Sequence, residues 1–217
     1  AAHNTALKGV AENLEALGIL PAGASNLVPA VNVGRTGYME QNLTDYKAES
    51  MKFDASLNFR PWENDFEIIF NTRAGFGSTI YQGANRYQLR DFSINQNRLE
   101  IRNNNFFLRG YITTEDAGDS YDMRFTGINM AKYRATEWFG AYAGGYVQAV
   151  LNGANDDEAH KEARRFADSD PNTTPQPGSA LFEELFNEIT SDPDLNTGSK
   201  FIDKTSSYVA EGNYNFG

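Results

Sequence analysis

The segment Met51–Arg60 alternates between apolar and polar side chains at every residue. A two-residue period places successive side chains on opposite faces of an extended chain, so this pattern predicts a β-strand with one apolar and one polar face. The same pattern returns at Phe66–Ile80 after a compact turn. Long strands of this kind, joined by short turns, are typical of a wall between lipid and water.

Composition excludes several classes of function. The 217 residues hold 29 Asp and Glu against 19 Lys and Arg, a formal net charge of -10, which argues against binding to nucleic acid because phosphates require a basic surface. The chain has no cysteine, which excludes disulfides, thiolate zinc sites and thiol catalysis. Its mean hydropathy of -0.56 and its short apolar runs predict no transmembrane helix, but a barrel wall escapes that test because polar residues dilute its apolar ones.

Four regions are predicted along the chain. They are a lead-in or outer loop with a short helix (1–45), antiparallel strands of a barrel wall (46–130), a helical insertion in an outer loop (131–207) and the start of a further strand (208–217). The predicted fold class is therefore all-β, an antiparallel transmembrane β-barrel segment with helical loop insertions. The third predicted strand, Tyr87–Arg102, changes the phase of its alternation, and a bulge near Asn95–Asn97 would explain the change.

The predicted strands are too few to close a barrel. A membrane strand needs about 9–11 residues, and the smallest barrels of this type have about eight strands, whereas this chain supplies five or six candidates. An open edge in lipid would leave backbone groups unpaired, at several kcal/mol each. We therefore expect a segment of a larger barrel.

The alternation assigns side chains to the two sides of that wall. The residues predicted to face the lumen are Lys52, Asp54, Asn58, Arg60, Glu67, Asn71, Arg73 and Arg109. The residues predicted to face lipid are Met51, Phe53, Leu57, Phe59, Phe66, Ile68 and Phe70. The short turns are expected on the periplasmic side, with one long outward loop at about 116–207, so that Tyr121–Met130 alternates without completing a crossing.

Several longer runs of residues suggest a family. The run Arg35–Leu43, the run Thr79–Tyr87, the run Gly118–Phe125 and the closing Lys204–Phe216 resemble the SusC-like branch of the TonB-dependent outer-membrane receptors. The resemblance implies a barrel of about 22 strands with an N-terminal plug, in the bacterial outer membrane. It also implies import of a glycan, peptide or similar nutrient, energised through TonB, with a SusD-like surface lipoprotein as partner. Neither a plug nor a TonB box is recognised in these residues, so transport would need the rest of the barrel.

Chemical motifs are scarce. No His-Glu-x-x-His, nucleophile elbow or phosphate loop occurs, so we expect no enzymatic activity. Asp192, Asp194, Asn196 and Asp203 fall at positions 1, 3, 5 and 12 of a calcium-binding loop. The glycine of that loop comes one place late, however, and Asp replaces the bidentate Glu. A helix-terminating turn is the simpler interpretation, and calcium is the alternative cofactor.

A second interpretation of the strands remains open. The charged faces could be the solvent side of a soluble sandwich whose core is made by the apolar faces. The chain would then be a soluble all-β binding or adhesion module with a helical insertion.

Overall fold

The computed structural model describes residues 4–216, so the ends of the predicted regions 1–45 and 208–217 lie partly outside the described residues. The chain forms two compact units. The first, here called the helical unit, comprises Ala1–Leu43 and Arg124–Gly198; the second, here called the sheet unit, comprises Thr44–Met123 and Ser199–Gly217.

The elements follow one another in a simple order. In the described chain the strands are β1 (Asn4–Ala6), β2 (Asn32–Gly34), β3 (Glu49–Phe59), β4 (Glu67–Gln82), β5 (Arg86–Arg102), β6 (Phe106–Asp116), β7 (Tyr121–Asp122) and β8 (Lys204–Tyr214). The helices are α1 (Leu7–Ala16), α2 (Met123–Lys132), α3 (Ala135–Leu151), α4 (Asp156–Asp168) and α5 (Ala180–Ser191), with 3-10 turns at Ala24–Leu27 and Glu40–Asn42. None of the helices within residues 4–216 is both long and apolar enough to span a membrane.

The sheet unit is one antiparallel sheet with strand order β3-β4-β5-β6-β8, and β7 pairs with β5 beside that path. β3 and β8 are the outer strands and do not pair with each other, so the sheet is open. One end of the sheet, here called the turn end, carries the connections 60–66 and 103–105. The other end, here called the insertion end, carries the connection 83–85, the entry to β3 and the whole of 117–203.

The all-β prediction is too narrow. The chain is a mixed α/β protein with antiparallel sheets, because helices dominate the helical unit. The predicted run of strands to residue 130 is also wrong at its end, since β7 stops at Asp122 and α2 begins at Met123. Met123, Thr126 and Met130 are buried at helical spacing. Because Thr126 is polar, the apolar residues of this segment do not by themselves show a helical period.

The bulge lies elsewhere than predicted. β5 pairs with β6 without interruption from Ser93 to Arg102, so Asn95–Asn97 is regular strand. The register against β4 instead shifts where Gly77 pairs with Phe92 and Thr79 pairs with Leu89. Between those pairs Asp91 has a φ of 55°, a left-handed conformation in which Asp is tolerated better than most residues.

The helical unit has a conventional core. Trp138, Tyr142 and Tyr146 of α3 are buried against α1 and against the alanines Ala159 and Ala163 of α4. The Asn155 side chain accepts a hydrogen bond from Glu158 N at the start of α4, and Ser179 caps α5 by accepting from Phe182 N. A smaller core cluster joins Met130, Phe182 and Ile189.

Candidate functional site

The apolar face of the sheet is continuous across neighbouring strands. Phe59 pairs with Ile68, Ile68 with Ile101, and Ile101 with Leu108, so these side chains form one row on the same face. The next row on this face joins Leu57, Phe70 and Leu99 in the same way. We call this surface the apolar face.

The apolar face is exposed. Leu57 is 69% exposed and Phe53 is 58% exposed, and large side chains of the other strands, such as Leu99 and Leu108, are also exposed. Neither core cluster of the described residues contains a residue of β3–β6 or β8. An exposed apolar surface of this extent marks a site that contacts lipid or a partner.

Aromatic side chains gather at the turn end of the sheet. Trp62 and Phe66 lie with ring centroids 5.1 Å apart, and Tyr214 pairs with Phe106 across the strands. At the insertion end Tyr81 and Tyr87 stack at 6.3 Å. Aromatic rings therefore lie near both ends of the sheet.

The opposite face of the sheet carries an ion-pair network, and we call it the charged face. Arg102 Nη2 lies 2.7 Å from Glu67 Oε2 and Arg102 Nη1 lies 4.0 Å from Glu100 Oε1. Arg109 Nη1 lies 4.0 Å from Glu100 Oε2, and Arg109 Nε donates to Glu211 Oε2 at 2.8 Å. Four strands, β4, β5, β6 and β8, are thereby linked through side chains.

Two further arginines, Arg60 and Arg98, extend this network, and a separate ion pair lies nearer the insertion end. Arg60 Nε lies 3.7 Å from Glu67 Oε1, and Arg98 Nη1 lies 3.8 Å from Glu100 Oε2. Nearer the insertion end, Arg73 Nε donates to Asp54 Oδ2 at 2.6 Å. Because Glu67 and Glu100 are buried beneath the guanidinium groups, their charges are compensated locally.

The register places the predicted site residues in two sets. The eight residues predicted to face the lumen have register positions on the charged face or directly beyond the end of β3, and the seven predicted to face lipid have positions on the apolar face or directly before β4. Which medium meets each face stays a prediction.

Sequence reasoning missed part of the network. Arg98, Glu100 and Arg102 follow a strict two-residue period, but the supposed bulge in the third strand concealed their common face. Glu211 was missed because only the apolar side of the last strand was considered. Counting charged residues at alternate positions would have found Arg98, Glu100 and Arg102 but not Glu211, which is the only charged residue on its side of β8.

The charged face also contains a depression near the insertion end. Gly75 and Gly77 lie opposite Ile94 and Phe92, and an open groove of about 500 Å³ forms there, with Lys52 in its lining. A Cβ atom on Gly77 would lie 2.6 Å from the backbone oxygen of Glu49, so the missing side chain lets β3 approach β4.

The predicted calcium ligands have other bonding partners. Asp192 accepts hydrogen bonds from Asp194 N and Thr197 Oγ1, and Asp194 accepts from the backbone and side chain of Asn196. The bond from Thr197 lowers the pKa of Asp192. Asp203 belongs to the sheet unit. Within residues 4–216, no group of three or more His, Asp or Glu side chains is placed to hold a metal ion.

The aromatic residues of the insertion serve helix packing. Tyr142 Oη lies 2.9 Å from His160 Nδ1, and the Tyr146 hydroxyl donates to the Asp156 carboxylate. Burial raises the pKa of both tyrosines, that of Tyr146 to about 12. With their rings buried between α3 and α4, these tyrosines offer no open surface to a sugar.

A buried arginine joins three distant parts of the helical unit. The Arg35 guanidinium donates to the carbonyls of Ala131, at 2.9 Å, of Tyr133 and of Thr173. Burial lowers the pKa of Arg35. The last carbonyl groups of a helix have no hydrogen-bond donor within that helix, and the planar guanidinium group of Arg35 supplies donors to those at the end of α2.

Comparison with known proteins adds no relative. No family model matches the chain, and no curated protein or solved structure matches it. The resemblance to SusC-like receptors therefore stays a prediction from the residues, and the two faces of the sheet are the main guide to function.

Proposed function

We propose that the sheet unit is a segment of the wall of a bacterial outer-membrane barrel, with its apolar face toward lipid and its charged face toward an aqueous lumen. Following the family resemblance, the complete barrel is a TonB-dependent transporter that imports a glycan, a peptide or a similar nutrient. The observation that carries the proposal is a single-layered sheet whose apolar side chains are exposed in the chain alone.

Strand lengths support a membrane crossing. β3, β6 and β8 have 11 residues each, and β4 and β5 have 16 and 17. A tilted strand crosses the hydrocarbon layer in about 9–11 residues, so each of the five is long enough. The longer β4 and β5 would extend beyond the membrane at the insertion end.

The connections support an orientation. Barrels of this type have short turns on the periplasmic side and long loops on the outer side. The connection 103–105 lies at the turn end, and the segment 117–203 leaves β6 and returns to β8 at the insertion end. The insertion end would therefore face outward, and residues 117–203 would form an outer loop.

The open edges also agree with a larger barrel. β3 and β8 each leave one row of backbone N–H and C=O groups without a strand partner in the described chain. In lipid such an edge costs several kcal/mol for each unpaired group. Neighbouring strands of the same wall would satisfy both edges, whereas a soluble sandwich would need a further layer over the apolar face.

A labelling experiment tests the orientation of the faces. Because the chain has no cysteine, Leu57→Cys and Ser56→Cys each create one labelling site, and the two neighbours point to opposite faces. An environment-sensitive fluorophore on residue 57 should be quenched by brominated phosphatidylcholine in reconstituted vesicles, and one on residue 56 should not. Equal quenching of the two labels would contradict the proposed wall.

Two arginine substitutions, one on each face of β3, provide the energetic test. Phe53→Arg should lower the free energy of unfolding from vesicles by about 2–4 kcal/mol at mid-membrane, while Asp54→Arg should assemble with a much smaller loss. Should the 217-residue chain instead purify as a compact water-soluble monomer with Phe53 protected from solvent, the soluble binding module would replace the barrel proposal.

A further inference from the structure

An acidic groove crosses the surface of the helical unit. One wall is a row on α4, Glu158, Glu162 and Phe166, at four-residue spacing. The opposite wall comes from α3 and includes Gln148 and Asn152. The groove has a volume of about 770 Å³, and the segment that follows α1 closes one side with Ile19 and Leu20.

Large apolar side chains are exposed in and beside this groove. Ile19 is 66% exposed and Phe166 is 59% exposed, and both line it. Leu151, next to the lining residue Asn152, is exposed as well. Such side chains in one place on a unit that already has a complete core indicate a surface that another molecule covers.

The Phe166 ring is held in place from below. A Cβ atom on Gly145 would lie 3.3 Å from Phe166 Cδ1 and 3.2 Å from Ala163 Cα, so the glycine lets the ring rest on α3. A ring that is supported on one side and open on the other loses little conformational freedom when a partner covers it. This is the property of an anchor residue in a binding site.

Charge identifies the chemistry of the occupant. Two carboxylates line the groove, and no Lys, Arg or His lines it among the described residues. Within the unit Glu162 pairs with Arg165, and Glu158 Oε2 accepts a hydrogen bond from Asn155 N at the start of α4. The segments of the helical unit, 1–43 and 124–198, hold fifteen Asp and Glu against eight Lys and Arg, a balance of -7. Such a surface attracts and orients cationic partners.

We propose that this acidic groove binds a cationic amphipathic segment of a partner protein, whose apolar side chains cover Phe166 and Ile19 while its Lys or Arg side chains face Glu158 and Glu162. Apolar anchors surrounded by opposite charges are the usual arrangement when an amphipathic helix docks into a groove. The inference concerns the helical unit alone and does not depend on the barrel proposal.

A peptide titration tests the groove. The probe is a synthetic helical peptide of about four turns, with Leu at positions i, i+3, i+4 and i+7 and Lys elsewhere. Its binding to the full chain, kept in lipid-free buffer or amphipol with the carrier alone as the blank, is measured by fluorescence anisotropy at low and high salt, because such a helix also partitions into vesicles. We expect binding that weakens with salt, because exposed charges are screened, and no binding of the same peptide with Glu in place of Lys.

Variants locate the binding site. Phe166→Gln should weaken binding about ten-fold or more, as loss of an anchor does. Ile19→Gln, on the other side of the groove, should act in the same direction and keeps the test valid if the Phe166 variant misfolds. Leu195→Gln is the matched control, since Leu195 is exposed in the same unit and does not line the groove.

Three results would overturn the proposal. The first is equal affinity of the Phe166, Ile19 and Leu195 variants for the peptide. The second is equal binding of the Lys and Glu peptides. The third is self-association of the chain that Phe166→Gln abolishes, because a second copy would then be the occupant. None of these results bears on the orientation of the sheet in lipid, so the two proposals fail separately.

Discussion

The two units of this chain differ in where their main apolar clusters lie. In the helical unit Trp138 is 0% exposed and packs against Phe139 and Tyr142 with ring centroids 5.1 and 5.3 Å away. In the sheet unit Phe53 and Leu57 of β3 project from a surface that nothing in the unit covers. The helical unit encloses these side chains in a core, whereas the sheet unit leaves those of its apolar face exposed in the described chain.

The largest expected change in the free energy of unfolding comes from the core of the helical unit. Trp138→Ala should lower the free energy of unfolding of the helices by about 3–5 kcal/mol, because a buried indole leaves a cavity. Phe53→Ala, in the exposed face, should change the free energy of unfolding in buffer or detergent by no more than about 0.5 kcal/mol. Urea titration followed by circular dichroism measures both, at the helix band for Trp138→Ala and at the strand band for Phe53→Ala. Equal losses would mean that Phe53 is also a core residue.

The next effect concerns the buried guanidinium. Arg35→Met keeps the apolar stem but leaves the carbonyls of Ala131, Tyr133 and Thr173 without their shared donor. We expect a loss of roughly 2–4 kcal/mol in the same urea titration, since buried acceptors and a charged donor are both involved. Arg35→Lys should recover only part of that loss, because an ammonium group lacks the planar fork. Full recovery by Lys would contradict a role for the fork.

In the sheet unit the sensitive positions are backbone contacts. Gly77→Ala places a methyl group against the backbone of Glu49 and should weaken the pairing of β3 with β4 by roughly 1–3 kcal/mol. Gly110→Ala is the control, because its nearest neighbour, the Val209 carbonyl oxygen, would lie 3.6 Å away in ordinary contact. Hydrogen exchange of the β3 amides measures the difference. Equal protection in the two variants would show that the close approach at Gly77 does not matter.

The smallest expected effect is a pH dependence. The pKa of Tyr146 is raised from 10.0 to about 12 in the folded chain, so its stabilising contribution is complete below pH 10. As the pH rises from 10 to about 12, the unfolded chain loses this proton first, and the free energy of unfolding falls. Tyr146→Phe should make the alkaline decline shallower. An unchanged slope would show that Tyr146 does not contribute.

The sequence predicts the strands of the sheet and the helical insertion, but it misses α2. β3, β4 and β6 follow apolar and polar alternation closely, because both faces of an open sheet are accessible and the period is not disturbed by tertiary packing. α2 was missed because Thr126 and Asn129 occupy buried positions and remove the apolar period. The buried stripe of α4 is made of alanines, which a pattern of large apolar residues does not reveal.

The site was predictable only in part. Opposite faces follow from alternation within one strand, but partners across strands require the register, which a supposed bulge in β5 obscured. The ion pairs of Glu100 and Glu211 therefore emerge only from the structure. The acidic groove joins residues from α1's end, α3 and α4, and no spacing in the sequence signals that meeting.

The pairing of Asp116 with Lys204 has an evolutionary consequence. Adjacent strands are already in register at the point where the chain departs from β6 and where it comes back to β8, and of the intervening elements only the short β7 pairs with the sheet. A short hairpin turn would join the same two positions. Residues 124–198 are thus free to lengthen, shorten or be exchanged between descendants, and new surface chemistry can arise there without altering the strands of the sheet.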